Sequence, residues 1–201
     1  MVNYTLWGTS VDLELSKETF PTEDEMKKME DDVLNPDHGF FDSNSGNKLH
    51  FRKWLPAGGV APKGICVFQH GIQAHCGAAC KIDEEVYKIA VLAKLIPQAG
   101  YAFYSLDMLG HGFSEGERFY IPNADWTINR DDFASFASYV SKEEGSSLPI
   151  FLSGESYGAC LAIHVARQWM DAPDKAPSNF KGFSVLAPGK FLFAYFPQFG
   201  S

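Results

Sequence analysis

The fold is decided by the stretch Pro149-Ile150-Phe151-Leu152-Ser153-Gly154-Glu155-Ser156-Tyr157-Gly158. Its apolar start predicts a buried strand over 149–153, and the spacing that follows predicts a helix over 157–170. A serine between two glycines at this junction is typical of a sharp turn that lifts the serine above the sheet. Gly154 and Gly158 come so close across such a turn that side chains there would collide. We therefore predict Ser156 to be a nucleophile on a strained turn.

Strands and helices alternate on both sides of this stretch. Strands are predicted over 48–55, 64–69, 101–106 and 183–187, and helices over 84–99 and 125–141. Strands that alternate with helices indicate a parallel sheet covered on both faces. The predicted class is α/β, with a mostly parallel sheet.

A second motif, His70-Gly71-Ile72-Gln73-Ala74-His75, follows the predicted strand over 64–69. Acyl transfer needs two backbone N–H groups that point at the developing oxyanion. We predict that Tyr157, directly after the serine, supplies one of them and Ile72 the other. His70, Gly71 and His75 are expected to support this loop.

The third motif is the glycine-rich turn from Asp107 to Gly116, which follows the predicted strand over 101–106. Gly110 and Gly112 indicate a tight loop at the carboxyl edge of the sheet. We expect Asp107 and His111 to fix this loop rather than to take part in chemistry.

These three motifs, in this order, resemble the monoacylglycerol lipase branch of the α/β-hydrolases, which is grouped with the S33-type serine aminopeptidase-like hydrolases. The resemblance covers roughly 47–190 and implies an α/β-hydrolase fold. It implies hydrolysis of a lipid-like carboxylic ester, such as a monoacylglycerol or lysophospholipid, by Ser156 without a cofactor. Glu155 departs from the pattern, because many relatives have histidine there.

The acid and base of the family's triad are expected after the nucleophile, in the order Ser, Asp or Glu, His. After Ser156 the acidic residues are Asp171 and Asp174, and the histidine is His164, which precedes both. His164 lies eight residues along the predicted helix, about 12 Å from the serine. We therefore expect no triad Asp or His in this chain, and an α/β-hydrolase domain over 46–201 that is truncated where a lid begins, near 191–196. Such a chain would be a poor catalyst.

Charge and composition restrict the other classes of function. Residues 1–48 hold 11 acidic and 4 basic residues, so 1–45 is predicted to be an acidic, solvated extension with a short charged helix over 23–32. The sequence has no basic stripe, which argues against nucleic acid as a partner. We see no signal peptide or transmembrane segment, so a cytoplasmic location is expected, although peripheral contact with a membrane stays open. The sequence carries no signal for the oligomeric state.

The four cysteines predict neither disulfides nor a metal site. Cys76 and Cys80 lie near His70 and His75 but lack a paired C-x₂-C spacing, so zinc is not expected. Two alternatives to the esterase remain: a non-catalytic binding protein with this fold, and an aminopeptidase of the S33 type.

Overall fold

The computed structural model describes the backbone of residues 2–6, 9–13, 37–76, 79–82 and 85–188, and the side chains of residues 37–76, 89, 92, 93 and 95–188. The main sheet consists of β3 (His38–Asp42), β4 (Lys48–Trp54), β5 (Ile65–Gln69), β8 (Ala102–Leu106), β9 (Ile150–Glu155) and β10 (Phe180–Leu186). Two antiparallel pairs lie outside it, namely β1 (Val2–Leu6) with β2 (Thr9–Leu13), and β6 (Ala79–Ile82) with β7 (Glu85–Lys88).

The main sheet has the strand order β10-β9-β5-β8-β4-β3. Its first four strands are mutually parallel, and β4 and β3 are antiparallel to their neighbours. The helices α1 (Ile89–Gln98), α2 (Thr127–Glu143) and α3 (Tyr157–Asp171) each lie between two of the parallel strands along the chain. The predicted mostly parallel α/β arrangement is confirmed.

The sheet is covered on both faces, as the near-continuous apolar run of its central strand β5 indicates. On β5, Ile65 and Val67 belong to the larger apolar cluster, which α2 and α3 help to form. Phe68 points the other way, into a smaller cluster with Phe103 and with Ile89 of α1. Phe68 and Phe103 are fully buried, and each contributes about 2–3 kcal/mol by leaving water.

The larger differences from the sequence-based expectation are an unpredicted strand and the starts of two elements. β3 lies inside the stretch expected to be a solvated extension, because Phe41 is buried against α2 and the strand pairs with β4. Helix α1 begins at Ile89 rather than 84, since residues 85–88 form β7. β10 begins at Phe180 rather than 183, because its pairing with β9 starts there. The predicted charged helix over 23–32 and the aromatic stretch 191–196 lie outside the described residues.

Within the described part of the chain, β10 forms one edge of the main sheet and pairs with β9. Its side chains Phe183 and Leu186 are about half exposed. Among the helices that the structure describes, none combines the length and the apolar character needed to traverse a bilayer.

Candidate active site

Three neighbouring parallel strands end at the same edge of the sheet. Gln69, the last residue of β5, pairs with Leu106 at the end of β8 and with Gly154 near the end of β9. The segments that follow these strands therefore meet. We call residues 154–158 the elbow, and residues 70–76 together with 107–116 the loop pair.

The elbow places Ser156 between β9 and α3 in a conformation that side chains rarely adopt, with φ 53° and ψ −115°. A Cβ on Gly154 would lie 2.3 Å from the carbonyl oxygen of Gly158. A Cβ on Gly158 would lie 2.1 Å from the carbonyl oxygen of Gln69. Both distances are far below van der Waals contact, so the turn admits only glycine at these two positions.

Tyr157 is the first residue of α3, so its backbone N–H has no acceptor within the helix. The positive end of the helix dipole lies at the same point and favours negative charge there. The Tyr157 hydroxyl accepts a hydrogen bond of 3.2 Å from Nδ2 of the buried Asn129. Burial raises the pKa of Tyr157, and this bond offsets only part of the effect. Asn129, which the sequence did not single out, thus anchors the elbow to α2.

The first part of the loop pair passes directly beside the nucleophile candidate. A Cβ built on Gly71 would lie 3.2 Å from Cβ of Ser156 and 3.7 Å from its Oγ. A side chain at 71 would therefore press on the serine. Ile72, the next residue, has a side chain that is 52% exposed.

His70 connects the two parts of the loop pair. Its Nε2 accepts a hydrogen bond of 3.1 Å from the Met108 N–H, and its Nδ1 donates one of 2.7 Å to the Gly71 carbonyl oxygen. This pattern requires the neutral ring, and burial lowers the pKa of His70 to about 4. Both ring nitrogens are occupied, so His70 is a structural residue in this conformation.

His111 forms the matching connection in the opposite direction. Its Nδ1 donates to the Leu109 carbonyl oxygen at 2.9 Å, and its Nε2 accepts from the Gln73 N–H at 3.3 Å. Each part of the loop pair thus supplies one histidine that binds backbone of the other part.

Asp107 holds the centre of the loop pair. Its carboxylate accepts hydrogen bonds from His50 Nδ1 at 2.8 Å, from the Cys76 N–H at 2.5 Å and from the Phe113 N–H at 3.0 Å. Burial on its own would raise the pKa of Asp107, but the hydrogen bond from His50 and those from the Cys76 and Phe113 backbone outweigh it. The pKa of this carboxyl is held well below its ordinary value. A Cβ on Gly112 would lie 2.1 Å from Oδ2 of Asp107.

Gly110 is required by the same turn, because its φ is +71° and a Cβ there would lie 2.4 Å from the Glu117 carbonyl oxygen. His75 lies half-buried near the end of residues 70–76, the part of the loop pair that we call the His-Gly loop. Glu155 is half-buried beside the serine. The candidate residues of the three motifs are therefore brought to one edge of the sheet.

His164 is placed away from the elbow. Its ring centroid lies 4.6 Å from that of Trp126. Burial, and after it the charge of Arg130, lowers the pKa of His164. His164 is thus a packed residue of α3, as predicted, and its exclusion as a base for Ser156 stays a prediction.

His50 and Cys76 contact Asp107 although the sequence did not place them there. The alternation of β4 could have shown that His50 faces the same side of the sheet as Arg52, but nothing in the sequence gives its partner 57 residues away. Cys76 contacts the same ring, with Sγ 3.6 Å from His50 Nδ1.

Comparison with known proteins agrees with this geometry. Rat monoglyceride lipase is 29% identical over 143 residues, which are 71% of this chain and 40% of the lipase. Esterase Est22 superposes with a TM-score of 0.60 at 17% identity, over 83% of this chain and 51% of Est22. Mouse alpha/beta hydrolase domain-containing protein 10 gives a TM-score of 0.56 at 18% identity, over 80% and 55% of the two chains.

The two structural likenesses establish the α/β-hydrolase fold. The chain spans about 40% of the length of the curated lipase that it matches. The family model described as serine aminopeptidase, S33, matches residues 60–192, well over half of the sequence. This chain therefore belongs to the serine aminopeptidase S33 family of α/β-hydrolases, among monoglyceride lipase-like relatives.

Proposed function

We propose that this chain carries the nucleophile and oxyanion donors of a serine esterase. The observation that carries the proposal is the approach of Gly71 to Ser156 at the strained elbow. Ser156 Oγ attacks the ester carbonyl carbon, and negative charge develops on the carbonyl oxygen. The N–H groups of Tyr157 and Ile72 stabilise that charge. Removal of one such donor raises the activation free energy by about 3 kcal/mol.

The proposed substrate is a lipid-like acyl ester, such as a monoacylglycerol or lysophospholipid. Ile72 and Phe119 present exposed apolar side chains, 52% and 55% accessible, beside the loop pair. Phe119 packs edge-on against His111, which in turn binds the backbone next to Ile72. Apolar groups at this edge favour an acyl chain, and the relationship to monoglyceride lipase supports the same substrate class.

Three histidines of the described residues are engaged in contacts that do not suit a general base for Ser156. His70 and His111 use both ring nitrogens in the loop pair, and His164 packs on Trp126. No histidine follows Asp174 in the sequence. Without a base the serine hydroxyl is a weak nucleophile at neutral pH. We therefore expect these 201 residues alone to turn over esters slowly, and sequencing the transcript beyond the Ser201 codon tests whether an acid and a histidine are encoded there.

A fluorophosphonate probe tests the nucleophile in the longest form of the protein that its gene encodes. We expect covalent labelling at Ser156 that is abolished in Ser156→Ala. Ser153→Ala is the matched control, because Ser153 lies three residues earlier on β9 and should leave labelling unchanged. A folded protein that takes up no label, or a Ser156→Ala variant that still does, contradicts the proposal.

Binding without catalysis is the second candidate, and the observation that favours it is that His70 and His111 use both ring nitrogens within the loop pair. A protein of this kind would bind a fatty-acyl ester and leave it intact. Equal recovery of ester from incubations with the unmodified protein and with Ser156→Ala, together with measurable binding, would support this alternative.

Cleavage of peptides is the third candidate, because the matched family is described as serine aminopeptidase. Parallel assays with acyl p-nitrophenyl esters and aminoacyl p-nitroanilides separate the two activities. We expect the esters to react at least tenfold faster, roughly the discrimination that one pocket contact provides.

A further inference from the structure

Beneath the loop pair, three potential metal ligands converge on one point. His50 Nδ1, Cys76 Sγ and a carboxylate oxygen of Asp107 all lie within 4.8 Å of one another, and all three residues are buried. The same ring nitrogen is 2.8 Å from Asp107 Oδ2 and 3.6 Å from Cys76 Sγ. The ligands come from β4, from the end of the His-Gly loop and from the turn after β8.

The sulfur–nitrogen separation is that of a tetrahedral zinc site, the nitrogen–oxygen pair is closer, and the sulfur–oxygen pair lies within 4.8 Å. Zinc binds imidazole nitrogen and carboxylate oxygen at about 2.0–2.2 Å and thiolate sulfur at about 2.3 Å, so neighbouring ligand atoms lie about 3.3–3.7 Å apart. The sulfur–nitrogen pair already has such a separation. The nitrogen–oxygen pair, now joined by a hydrogen bond, would have to widen by about 0.5 Å.

We propose that His50, Cys76 and Asp107 form a buried Zn²⁺ site that ties β4 to both parts of the loop pair. The sequence does not suggest it, because Cys76 lies near His70 and His75 along the chain, whereas His50 is 26 residues away. Three protein ligands leave one position, which a water molecule fills in many zinc sites. The ion would hold the His-Gly loop in place beside Ser156, and the proposal does not depend on Ser156 being catalytic.

The surroundings of the three ligands suit a metal site. The other ring nitrogen of His50, Nε2, lies 3.3 Å from His38 Nδ1, so a partner exists for the N–H that a metal-bound imidazole presents on its far side. The Asp107 carboxylate keeps its hydrogen bonds from the backbone of Cys76 and Phe113, which orient it. Ligand orientation of this kind is what the outer shell of a metal site provides.

The charge balance also admits a dication. Arg52 is buried on the same face of the sheet, and within the described residues its Nε and Nη1 have no hydrogen-bond partner. Burial, and after it the charge of Asp107, raises the pKa of the Cys76 thiol, and the positive charge of Arg52 opposes them in part. Zinc binding displaces the thiol proton, and the Cys76 thiolate and the Asp107 carboxylate then carry one negative charge more than Arg52 neutralises.

Zinc content tests the site directly. We expect the full chain, loaded with Zn²⁺ and dialysed, to retain one zinc per chain by elemental mass spectrometry. His50→Phe and Cys76→Ser should weaken retention by roughly tenfold or more. Cys160→Ser, another buried thiol, is the control and should retain the metal. Absence of zinc in the unmodified chain, or full retention in both ligand variants, overturns the proposal.

Cobalt gives a second readout that does not depend on whether the variants fold. Co²⁺ added to the unmodified chain should produce a thiolate-to-cobalt charge-transfer band in the near ultraviolet and a tetrahedral visible spectrum. Added Zn²⁺ should displace both. A cobalt spectrum without the thiolate band overturns the assignment of Cys76 as a ligand.

Discussion

The elbow and the loop pair lie at the same sheet edge but are held in place by different forces. The elbow requires that two positions have no side chain, because a Cβ at Gly154 or Gly158 would lie 2.3 or 2.1 Å from backbone atoms. The loop pair depends on buried hydrogen bonds, such as those of Asp107, between groups as far as 57 residues apart. The overlap at Gly154 is specified within five residues, whereas the overlap at Gly158 with Gln69 and the polar network both need strands from distant parts of the chain.

The contrast has a consequence for stability. A backbone overlap at the elbow has no inexpensive relief, because both partners are main-chain atoms. A lost hydrogen bond in the loop pair instead leaves buried donors without an acceptor, at about 1–3 kcal/mol each. A methyl group should therefore be costly at the elbow and also at Gly110 of the loop pair, where it would meet backbone, but the loop pair should be the more sensitive of the two to pH.

The largest effect is expected from Gly158→Ala at the elbow. Alanine is favoured over glycine inside a helix by about 1 kcal/mol, so helix propensity alone predicts stabilisation. The overlap with the Gln69 carbonyl should reverse this and lower the free energy of unfolding by about 4 kcal/mol, as measured by urea denaturation. Gly145→Ala, where a Cβ meets nothing within 4 Å but φ is +92°, should cost only about 1–2 kcal/mol. Similar stability of Gly158→Ala and the unmodified chain would refute the steric account of the elbow.

In the loop pair, Asp107→Asn should be next in size. The amide has the shape of the carboxylate but turns one acceptor into a donor, facing the donors from His50, Cys76 and Phe113. We expect a loss of about 3 kcal/mol in the free energy of unfolding, measured at pH 7. Asp174→Asn, at an exposed position, should be neutral. A loss below about 1 kcal/mol would show that the network contributes little to stability.

The pH dependence of the loop pair should come partly from His70. Its pKa is about 4 in the folded chain, against 6.5 for the ordinary residue, so the unfolded chain binds the proton more readily between these values. Its contribution is present above pH 6.5 and is lost as the pH falls toward 4, by about 2 kcal/mol from pH 7 to pH 5. His70→Gln, which keeps an acceptor for Met108, should remove that part of the slope.

Urea unfolding at pH 7 and pH 5 measures the difference. Gln98→Ala, a change at an exposed uncharged residue, should keep the slope of the unmodified chain. An identical slope in His70→Gln would mean that the buried ring does not stay neutral across this range.

The smallest expected effect is a gain at the elbow. Ser156→Gly should relieve the strain of φ 53° and raise the free energy of unfolding by about 1 kcal/mol, while removing the nucleophile. Ser153 lies on β9 just before the elbow and does not have this strained φ, so Ser153→Gly should lower the free energy of unfolding by about 1 kcal/mol. Thermal denaturation of the two variants makes the comparison, and a destabilised Ser156→Gly would contradict the strain at this turn.

Much of the fold could be predicted from the sequence because its signals are local. Alternation along β4, the apolar runs before the three motifs and the glycine at 154 each reflect neighbours within a few residues. β3 was missed because His38–Asp42 lies next to an acidic, turn-rich stretch, and its burial depends on Phe41 meeting α2. The start of α1 was misplaced because residues 85–88, which have helical spacing, pair instead with β6.

The candidate site divides in the same way. The positions of Ser156, Tyr157 and Gly71 follow from motifs, because the ends of adjacent parallel strands must lie at one edge. The hydrogen-bond partners of the histidines cannot be predicted from the motifs, because the sequence does not indicate which backbone N–H a ring nitrogen will bind. For the same reason, the sequence analysis does not identify Asn129, His50 and Cys76 as residues of the site.

By itself, the sequence determined the α/β class, the parallel arrangement and a serine on a glycine-bounded turn. These depend on periodicity and on steric limits that apply within a few residues. The tertiary structure decided that His70 and His111 cross-connect the loop pair, and that His50, Cys76 and Asp107 meet beneath it. Such contacts arise only when packing brings distant segments together, because burial makes each polar group take whichever partner lies within reach.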